Sequence, residues 1–227
     1  KNCDFHVARL PLRDELRQKF DRDAARRWFE SVEGMPYGYH NFLFSWIDTP
    51  DNNLPPILPP ELVPIAFELL NEILPSVIES FFLQAMNFRL DTKGLDFKQV
   101  LAESNKRNIT LSDLMAMPEK DGWYYSDGYS YVCSCFVIGL YKAAGLFGDM
   151  EINAVEFTPR DVYQLDVFNV TEVRPTKCVE ADPDLPYCQV LGKYRLTLPG
   201  YSTVKPYAHM NEHCESQAPD YFRPEGC

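Results

Sequence analysis

The stretch over residues 127–147 is the feature that most constrains how this chain can fold. Its apolar residues recur at three- and four-residue steps, as they do on one face of a buried helix. They are Phe136, Val137, Leu140, Tyr141 and Ala144. Gly145 is placed to end that helix. Cys133 therefore falls in its first turn, where unpaired backbone N–H groups and the positive end of the helix dipole favour a thiolate, the nucleophilic form of a cysteine.

A longer motif around this cysteine resembles a known enzyme family. Tyr131-Val-Cys133-Ser-Cys135-Phe-Val, followed by Tyr141-Lys-Ala-Ala-Gly-Leu, resembles the Cys-Ser-Glu-Phe-Val helix of permuted papain-like hydrolases. These are relatives of the NlpC-type cell-wall endopeptidases and of lecithin retinol acyltransferase. In the family pattern the nucleophile lies three residues before the Phe, so the resemblance implies that Cys133 is the nucleophile. Cys135 stands where the family has an acidic residue, and its thiol is expected not to be catalytic.

The alternative for Cys133 is an unreactive sulfur, either as one half of a disulfide or as a buried thiol. The local sequence leaves both interpretations open. The resemblance favours the nucleophile.

A second match precedes the first in the chain. Residues 5–11 predict a short strand, and apolar residues at four-residue spacing predict one amphipathic helix over residues 12–31. A turn with the sequence Gly34-Met-Pro-Tyr37 follows. This order of a strand, a helix containing Ala-Ala-x-x-Trp, and a Gly-x-Pro-Tyr turn resembles the segment that precedes the cysteine helix in the same hydrolases.

Within this resemblance, Tyr37 matches a tyrosine whose hydroxyl lies beside the nucleophile in NlpC-type enzymes. A phenol in that place can donate a hydrogen bond to the oxyanion that forms when a thiolate attacks a carbonyl. The alternative is an ordinary turn tyrosine that packs on Trp28 or Trp46.

A cysteine hydrolase also needs an imidazole that takes the thiol proton and returns it to the leaving group. The chain has four histidines, His6, His40, His209 and His213. The resemblance implies a catalytic histidine on a strand upstream of residues 5–37, which would lie before Lys1. On that expectation the chain is the second piece of a processed precursor, and Cys3 links it to the first piece.

If the site is complete within this chain, His40 is the first candidate base because it lies three residues from Tyr37. Asn41 or Asp48 would then orient its ring. His6 is the second candidate.

The segment His209-Met-Asn-Glu-His213 fits a zinc pattern that places two imidazoles on one helix face. It is bracketed by Pro206, Cys214 and Pro219 and has no helical stripe, so no metal site is expected there. The sequence contains no Gly-rich phosphate loop, and no cofactor is expected.

The matches divide the chain into three regions. Residues 1–42 and 122–172 are predicted to form a papain-like core, with its N-terminal strands upstream of residue 1. Residues 43–121 have no place in the minimal pattern and predict a helical insertion, with helices over residues 62–73 and 77–90. The insertion is expected to pack on the core, and the alternative is a lid or lipid-facing surface. Residues 173–227 predict a loop-rich appendage stabilised by disulfides.

After the cysteine helix, a Thr158-Pro-Arg-Asp161-Val stretch resembles the Thr-Pro-x-Asp-Leu sequence of the family. It is predicted to lead into a strand through Val162, Leu165 and Val167.

Charge and cysteine content limit the environment and the partners of the chain. A net charge of −11 over 227 residues argues against nucleic acid, because phosphate contacts need clustered Lys and Arg. No apolar run is long enough to span a bilayer. Seven cysteines, together with glycosylation sequons at Asn108 and Asn169, predict a secreted or lysosomal glycoprotein. No signal peptide opens the chain, so Lys1 is expected to be a mature or proteolytically exposed end.

If Cys133 is free, six cysteines remain for disulfides. They are Cys3, Cys135, Cys178, Cys188, Cys214 and Cys227. Six thiols can form three bridges in 15 ways, and the sequence does not choose among them.

These observations predict an α+β protein with a permuted papain-like core, a helical insertion and a disulfide-rich C-terminal appendage. The predicted activity is that of a cysteine hydrolase in which Cys133 attacks an amide or ester carbonyl. A peptide or peptidoglycan-type amide is the first substrate class, and a lipid acyl ester is the second. The alternative is a secreted binding or structural protein that retains the fold without turnover.

Overall fold

A computed structural model describes residues 7–41, 44, 65, 69, 72–73, 75–115, 117, 119–125, 130–171, 173–190, 194 and 196–206. The elements in chain order are β1 (Val7–Arg9), α1 (Asp14–Lys19), α2 (Arg22–Val32), α3 (Pro75–Val77), α4 (Leu83–Arg89), α5 (Phe97–Lys106), α6 (Leu111–Met115), α7 (Cys133–Ala143), α8 (Pro159–Gln164), α9 (Thr176–Ala181) and β2 (Cys188–Val190). A π-helical segment, Ile78–Phe82, joins α3 to α4, and a 3₁₀ turn, Ala154–Glu156, precedes α8. Helices combined with a small sheet confirm the predicted α+β class.

The predicted buried helix is α7, and it begins at Cys133. Gly145 follows its end with φ of +78°, a left-handed conformation that glycine adopts without a steric penalty. The Gly145 N–H donates to the Lys142 carbonyl at 3.1 Å. We call the cluster into which α7 packs the α7 core. Its buried residues are Ile138, Phe147, Ile152, Ala154, Phe157, Leu165, Val167, Phe168, Tyr187 and Tyr201.

The single helix predicted over residues 12–31 is wrong, because two helices, α1 and α2, occupy this segment. Asp21 has an extended backbone, and its carboxylate caps α2 by accepting a hydrogen bond from the Ala24 N–H at 2.9 Å. The Asp21 N–H donates to the Ala144 carbonyl at 3.1 Å, which connects the break to the end of α7. An aspartate that caps a new helix interrupts the preceding one, and apolar spacing alone does not reveal this competition.

Helix α2 lies against α7 through an aromatic contact. The ring centroid of Trp28 lies 5.2 Å from that of Phe136 and 5.5 Å from that of Tyr131. A Cβ atom at Gly139 would overlap the Trp28 ring. Gly139 therefore allows the indole to lie directly on the backbone of α7.

The two strands form an antiparallel pair, with Val7 opposite Val190 and Arg9 opposite Cys188. Within the described part of the strand predicted over residues 5–11, Val7–Arg9 form β1, and Leu10 and Pro11 lie outside it. Its partner β2 comes from the region predicted to be a C-terminal appendage. Tyr187, next to β2, is buried in the α7 core. The described part of this region therefore packs together with α7.

The strand predicted through residues 162–167 is wrong, because helix α8 occupies its first half. Thr158 caps α8 in a capping box. Its Oγ1 accepts from the Asp161 N–H at 3.4 Å, and the Asp161 carboxylate accepts from the Thr158 N–H at 2.8 Å. Because proline fits the first helical position, Thr-Pro-x-Asp is itself a helix-start signal.

Residues 43–121, predicted as an insertion, contain α3 to α6 and contribute most of a second apolar core. The helix predicted over residues 77–90 corresponds to the π-helical segment and α4. Most of the helix predicted over residues 62–73 lies outside the described residues. The buried residues of this second core are Phe44, Ile78, Phe82, Leu83, Ala85, Met86, Leu90, Phe97, Val100, Leu111, Leu114, Met115 and Tyr125. The proposed domain boundaries stay predictions.

A buried polar cluster joins this second core to the rest of the chain. The Glu119 carboxylate is fully buried and accepts hydrogen bonds from Asn41 Nδ2 at 2.7 Å, from Arg89 Nη1 at 3.4 Å and from the Tyr125 hydroxyl. Burial and then the charge of Glu119 raise the pKa of Tyr125, so its phenol stays protonated and remains a donor. We call these four residues the Glu119 cluster.

The described part of the chain contains the disulfide Cys178–Cys188, which confirms that disulfides are present and ties α9 to β2. Counting Cys135 among the cysteines available for bridges is wrong, because its thiol is free and buried. Cys3, Cys214 and Cys227 lie outside the described residues.

Replacing Gly139 by alanine is expected to lower the free energy of unfolding by about 1–3 kcal/mol, because the new methyl group must displace the Trp28 ring. Gly122 is the matched control, since a Cβ there meets nothing within 4 Å. Gly122→Ala should change stability by less than about 0.5 kcal/mol. Thermal and urea unfolding measure both variants. Equal stabilities of the two variants would contradict this packing.

Replacing Glu119 by alanine is expected to lower the free energy of unfolding by about 3–5 kcal/mol, because the Arg89 guanidinium would remain buried without its carboxylate. The control is Glu30→Ala, which removes an exposed ion pair with Arg26 and should change stability far less. Urea titration compares the two variants. A larger loss for Glu30→Ala would show that the Glu119 cluster does not stabilise the fold.

Candidate active site

The turn that contains Tyr37 pairs with the residues just before α7. Tyr37 and Tyr131 form an isolated parallel bridge. The Gly38 N–H donates to the Tyr131 carbonyl at 3.0 Å, and the Tyr131 N–H donates to the Pro36 carbonyl at 3.4 Å. Because Tyr131 precedes Cys133 by two residues, this pairing brings Tyr37 beside the start of α7.

Gly38 is needed for this pairing because the space around it is small. A Cβ atom there would lie 2.8 Å from Asn41 Oδ1 and 3.0 Å from Ser130 Oγ. A larger residue would therefore push the turn away from Tyr131. Asn41 also donates a hydrogen bond to Glu119, so the Glu119 cluster helps to hold the residues that follow the turn in place.

Cys133 is the first residue of α7, and its thiol is free and exposed. The preceding residue, Val132, has an extended backbone, and no side chain caps this end of the helix. The N–H groups of the first turn lie at this end, where they and the helix dipole stabilise negative charge on a nearby sulfur. The described structure therefore places an exposed, free thiol at the start of a buried helix.

The Tyr37 phenol and the Cys133 sulfur line the same cleft and lie close enough to interact. Burial, then the charge of Cys133 and the hydrogen bond with it, raise the pKa of Tyr37 above its ordinary value. The phenol therefore stays protonated at neutral pH and acts as a donor toward the sulfur. The Tyr37 side chain is still 44% exposed, so a substrate can approach the pair from solvent.

Cys133 and Tyr37 line one cleft with a volume of about 470 Å³. This volume lies within the range of small-molecule sites. The rest of the lining is mainly apolar, and its one charged residue is Glu33. The other lining residues are Phe29, Val32, Gly34, Met35, Pro36, Tyr131, Val132 and Phe136. The cleft can therefore accept an apolar group beside the Cys133 sulfur.

Cys135 has a different environment, although it lies on the same helix. It is fully buried, and its thiol donates to the Val155 carbonyl at 3.4 Å. Burial raises the pKa of the Cys135 thiol, which keeps it protonated. These observations support Cys133 over Cys135 as the reactive cysteine.

The structure does not bring His40 into the cleft. Its side chain is 2% exposed, and its ring stacks on Phe81 and on Tyr125 at centroid distances of 4.6 and 4.2 Å. Asn41, which the sequence suggests as an orienting group, directs its amide to Glu119. His40 is therefore packed as a core aromatic residue.

The other candidates for acid–base chemistry lie outside the described residues. These are His6 and the two zinc-pattern histidines, together with Asp48. Within the described ranges, no three His, Cys, Asp or Glu side chains lie close enough to hold a metal ion.

The two sequons lie in different surroundings. Asn108 is exposed just after α5, with φ of +56°. Asn169 Oδ1 accepts hydrogen bonds from the backbone N–H of Thr171 at 2.9 Å and from its hydroxyl at 3.1 Å. Glycosylation at both asparagines stays a prediction.

The described helices are all too short or too polar to cross a membrane. Comparisons of this chain with protein-family models, with curated proteins and with solved structures find no match.

Sequence reasoning missed most of the cleft wall and the residues behind it. Phe29 on α2 and Met35 in the Gly34–Tyr37 turn both line the cleft. A single exposed apolar residue is common on protein surfaces, so neither position carries a sequence signal for a cleft. Nothing in the sequence pattern indicates that Glu119 meets Asn41, which is 78 positions away.

Brief treatment of the folded protein with iodoacetamide at mildly acidic pH is expected to alkylate Cys133 and leave Cys135 unmodified. The first thiol is exposed at a helix start, whereas the second is buried and protonated. Peptide mapping by mass spectrometry measures both sites, and unfolding in urea should make Cys135 reactive. Comparable labelling of the two thiols in the folded protein would contradict the site geometry.

Replacing Tyr37 by phenylalanine is expected to slow this alkylation about three- to tenfold, because the sulfur loses the neighbouring phenol hydroxyl. Tyr39→Phe is the matched control, because Tyr39 is an exposed neighbour whose ring lies 5.2 Å from that of Tyr37. Identical rates in the two variants would show that the Tyr37 hydroxyl does not act on the sulfur.

Proposed function

We propose that this protein is a cysteine hydrolase with a permuted papain-like core, and that Cys133 attacks an amide or ester carbonyl. The observation that carries the proposal is the pairing of an exposed thiol at a helix start with the phenol of Tyr37 in one cleft. The residues concerned are the two that the family resemblance selects from separate parts of the chain.

In the proposed reaction the Cys133 thiolate forms a bond to the carbonyl carbon, and the carbonyl oxygen becomes an oxyanion. Collapse of this intermediate breaks the bond to the alcohol or amine, which leaves with a proton, and the acyl group remains on sulfur as a thioester. Water then attacks the thioester, releases the carboxylic acid and restores the thiol.

Two donors are placed to stabilise the oxyanion. One is the Tyr37 hydroxyl, whose pKa is raised by burial and by Cys133, so it stays protonated at neutral pH. The other is the backbone N–H of Cys133 in the first turn of α7, which has no intrahelical partner. A single donor of this kind contributes about 100-fold or more to kcat.

The apolar lining favours a substrate with an apolar acyl group. A lipid acyl ester, or a peptide with an apolar residue beside the reacting carbonyl, fits the cleft better than a peptidoglycan-type amide does. A strongly polar peptidoglycan stem fits less well, because its polar groups would lie against the apolar wall of Phe29, Met35 and Phe136 without hydrogen-bond partners there.

The imidazole in this proposal does not come from His40, which is buried away from the cleft. His6 is the second candidate base within the chain and lies outside the described residues. We propose a secreted or lysosomal location, which the Cys178–Cys188 disulfide supports.

A second function has one observation in its favour. Because the His40 ring is packed away from the cleft, a protein that keeps the fold and binds a partner without turnover is the alternative. A reactive Cys133 without acyl hydrolysis would support this alternative.

Steady-state hydrolysis of aryl esters with short and longer straight acyl chains tests the proposal. Wild-type protein is expected to hydrolyse them, with higher kcat/KM for the longer chains. Cys133→Ala should abolish turnover, and Tyr37→Phe should lower kcat about 100-fold. Cys135→Ala and Tyr39→Phe are the matched controls and should retain activity. Turnover that survives in Cys133→Ala would rule out the proposed nucleophile.

Two further variants identify the base in the same assay. His40→Phe preserves the ring stacking and should retain activity. His6→Ala should abolish turnover if His6 is the base, and intact mass without reduction would reveal a chain attached through Cys3. If His40→Phe lowers kcat while its stability is unchanged, His40 is the base.

A further inference from the structure

A second and larger cavity lies in the region of residues 79–124, with a volume of about 880 Å³. It is formed by one face of α4 and the segment before it, by the loop between α4 and α5, and by Trp123 and Tyr124. None of its lining residues lines the Cys133 cleft. Its volume is that of a typical small-molecule site.

The floor and one wall of this cavity are apolar. Leu83, Phe88 and Leu95 line it together with Trp123, and the rings of Phe88 and Trp123 are stacked at 5.5 Å. Tyr124 is 59% exposed, so its ring is accessible at the edge. This surface suits the stem of a ligand that is apolar at one end.

The loop that forms the opposite wall is held in place by Asn87. Its Nδ2 donates to the Leu83 and Leu95 carbonyls at 2.7 and 3.1 Å, and its Oδ1 accepts from Thr92 Oγ1 at 2.9 Å and from the Leu95 N–H at 3.0 Å. Asn87 is itself 7% exposed. The cavity is therefore built by a buried side chain with a full set of hydrogen bonds.

Among the side chains that line the cavity, three are carboxylates and one is an amine. Glu79, Asp91 and Asp96 line it and are exposed, and Lys93 is the one basic lining residue. Lys120 lies nearby, with its Nζ 6.0 Å from the Trp123 ring centroid. An excess of carboxylates around an apolar floor repels anions and attracts cations.

We propose that this cavity binds a small organic cation, namely an ammonium group carried on an apolar stem. The stem lies against the Phe88 and Trp123 wall, and the ammonium meets the carboxylates at the rim. Because Arg89 and Lys120 already lie near the Trp123 ring, the carboxylates contribute more to charge recognition than Trp123 does. The ligand can be a free alkylamine or the side chain of a lysine in a peptide.

Isothermal titration calorimetry with three six-carbon probes tests the charge preference. Hexylammonium should bind more tightly than hexanol, and hexanoate should bind more weakly than both. Added salt should weaken hexylammonium binding. An acetylated and amidated lysine is the fourth probe. If it binds more tightly than hexylammonium, the ligand is a lysine side chain in a peptide; if it binds more weakly, the ligand is a free alkylamine.

Charge-neutralising variants test the residues without disturbing the backbone. Asp91 has φ of +51°, which asparagine adopts readily, and Asp96 caps α5, a role asparagine fills equally well. The triple change Glu79→Gln, Asp91→Asn and Asp96→Asn should weaken hexylammonium binding about tenfold. Lys93→Gln should strengthen it about twofold by the same reasoning.

Cys133→Ala should bind the probes as the wild-type protein does, because the cavity and the Cys133 cleft share no lining residue. Equal affinities for hexylammonium, hexanol and hexanoate would overturn the proposed cation preference. It would also be overturned by unchanged binding in the triple variant, or by no binding of either amine at millimolar concentration.

Discussion

The backbone pairing of Tyr37 with Tyr131 is the constraint on which the candidate site depends. Two hydrogen bonds hold the turn that contains Tyr37 against Tyr131, which lies two residues before Cys133. Neither Tyr37 nor Cys133 has a positive φ. They meet because the pairing sets their register, and a shift of one residue in either segment would direct the phenol away from the sulfur.

Two sets of buried contacts support that pairing from opposite sides. On one side, α2 packs on α7 through Trp28 and Gly139, which sets the distance between the turn after α2 and the start of α7. On the other side, Asn41 connects the turn to the Glu119 cluster, which includes Arg89. Residues 43–121 thus contribute to the position of Tyr37, although none of the residues that line the Cys133 cleft belongs to this range.

Local patterns predicted the parts of this structure that local forces decide. The apolar spacing behind Cys133 and the glycine at position 145 predicted α7 correctly, because a buried helix requires both. Apolar periodicity did not predict the helix break at Asp21, where the side chain caps α2, or the helix start at Thr158, where the side chain caps α8. Each of these features depends on one side chain and not on periodicity. His40 shows a different limit. Its position near Tyr37 in sequence suggested a catalytic base, but side-chain direction depends on aromatic partners, Phe81 and Tyr125, that lie far along the chain. The Glu119 cluster contains a buried charge pair, Arg89–Glu119, and it had no sequence signal because its members lie far apart in the chain.

Taken together, these contacts place an exposed thiol and a protonated phenol at the start of one helix, in a cleft that accepts apolar groups. Rapid acid quenching tests the chemical meaning of that arrangement most directly. The protein is mixed with an activated ester of a medium-chain fatty acid, quenched at short times and mapped by mass spectrometry. The account predicts an acyl group on Cys133 that forms quickly, approaches one per molecule and is lost by hydrolysis. A native protein in which Cys133 stays unacylated, or is recovered in a disulfide, would contradict it.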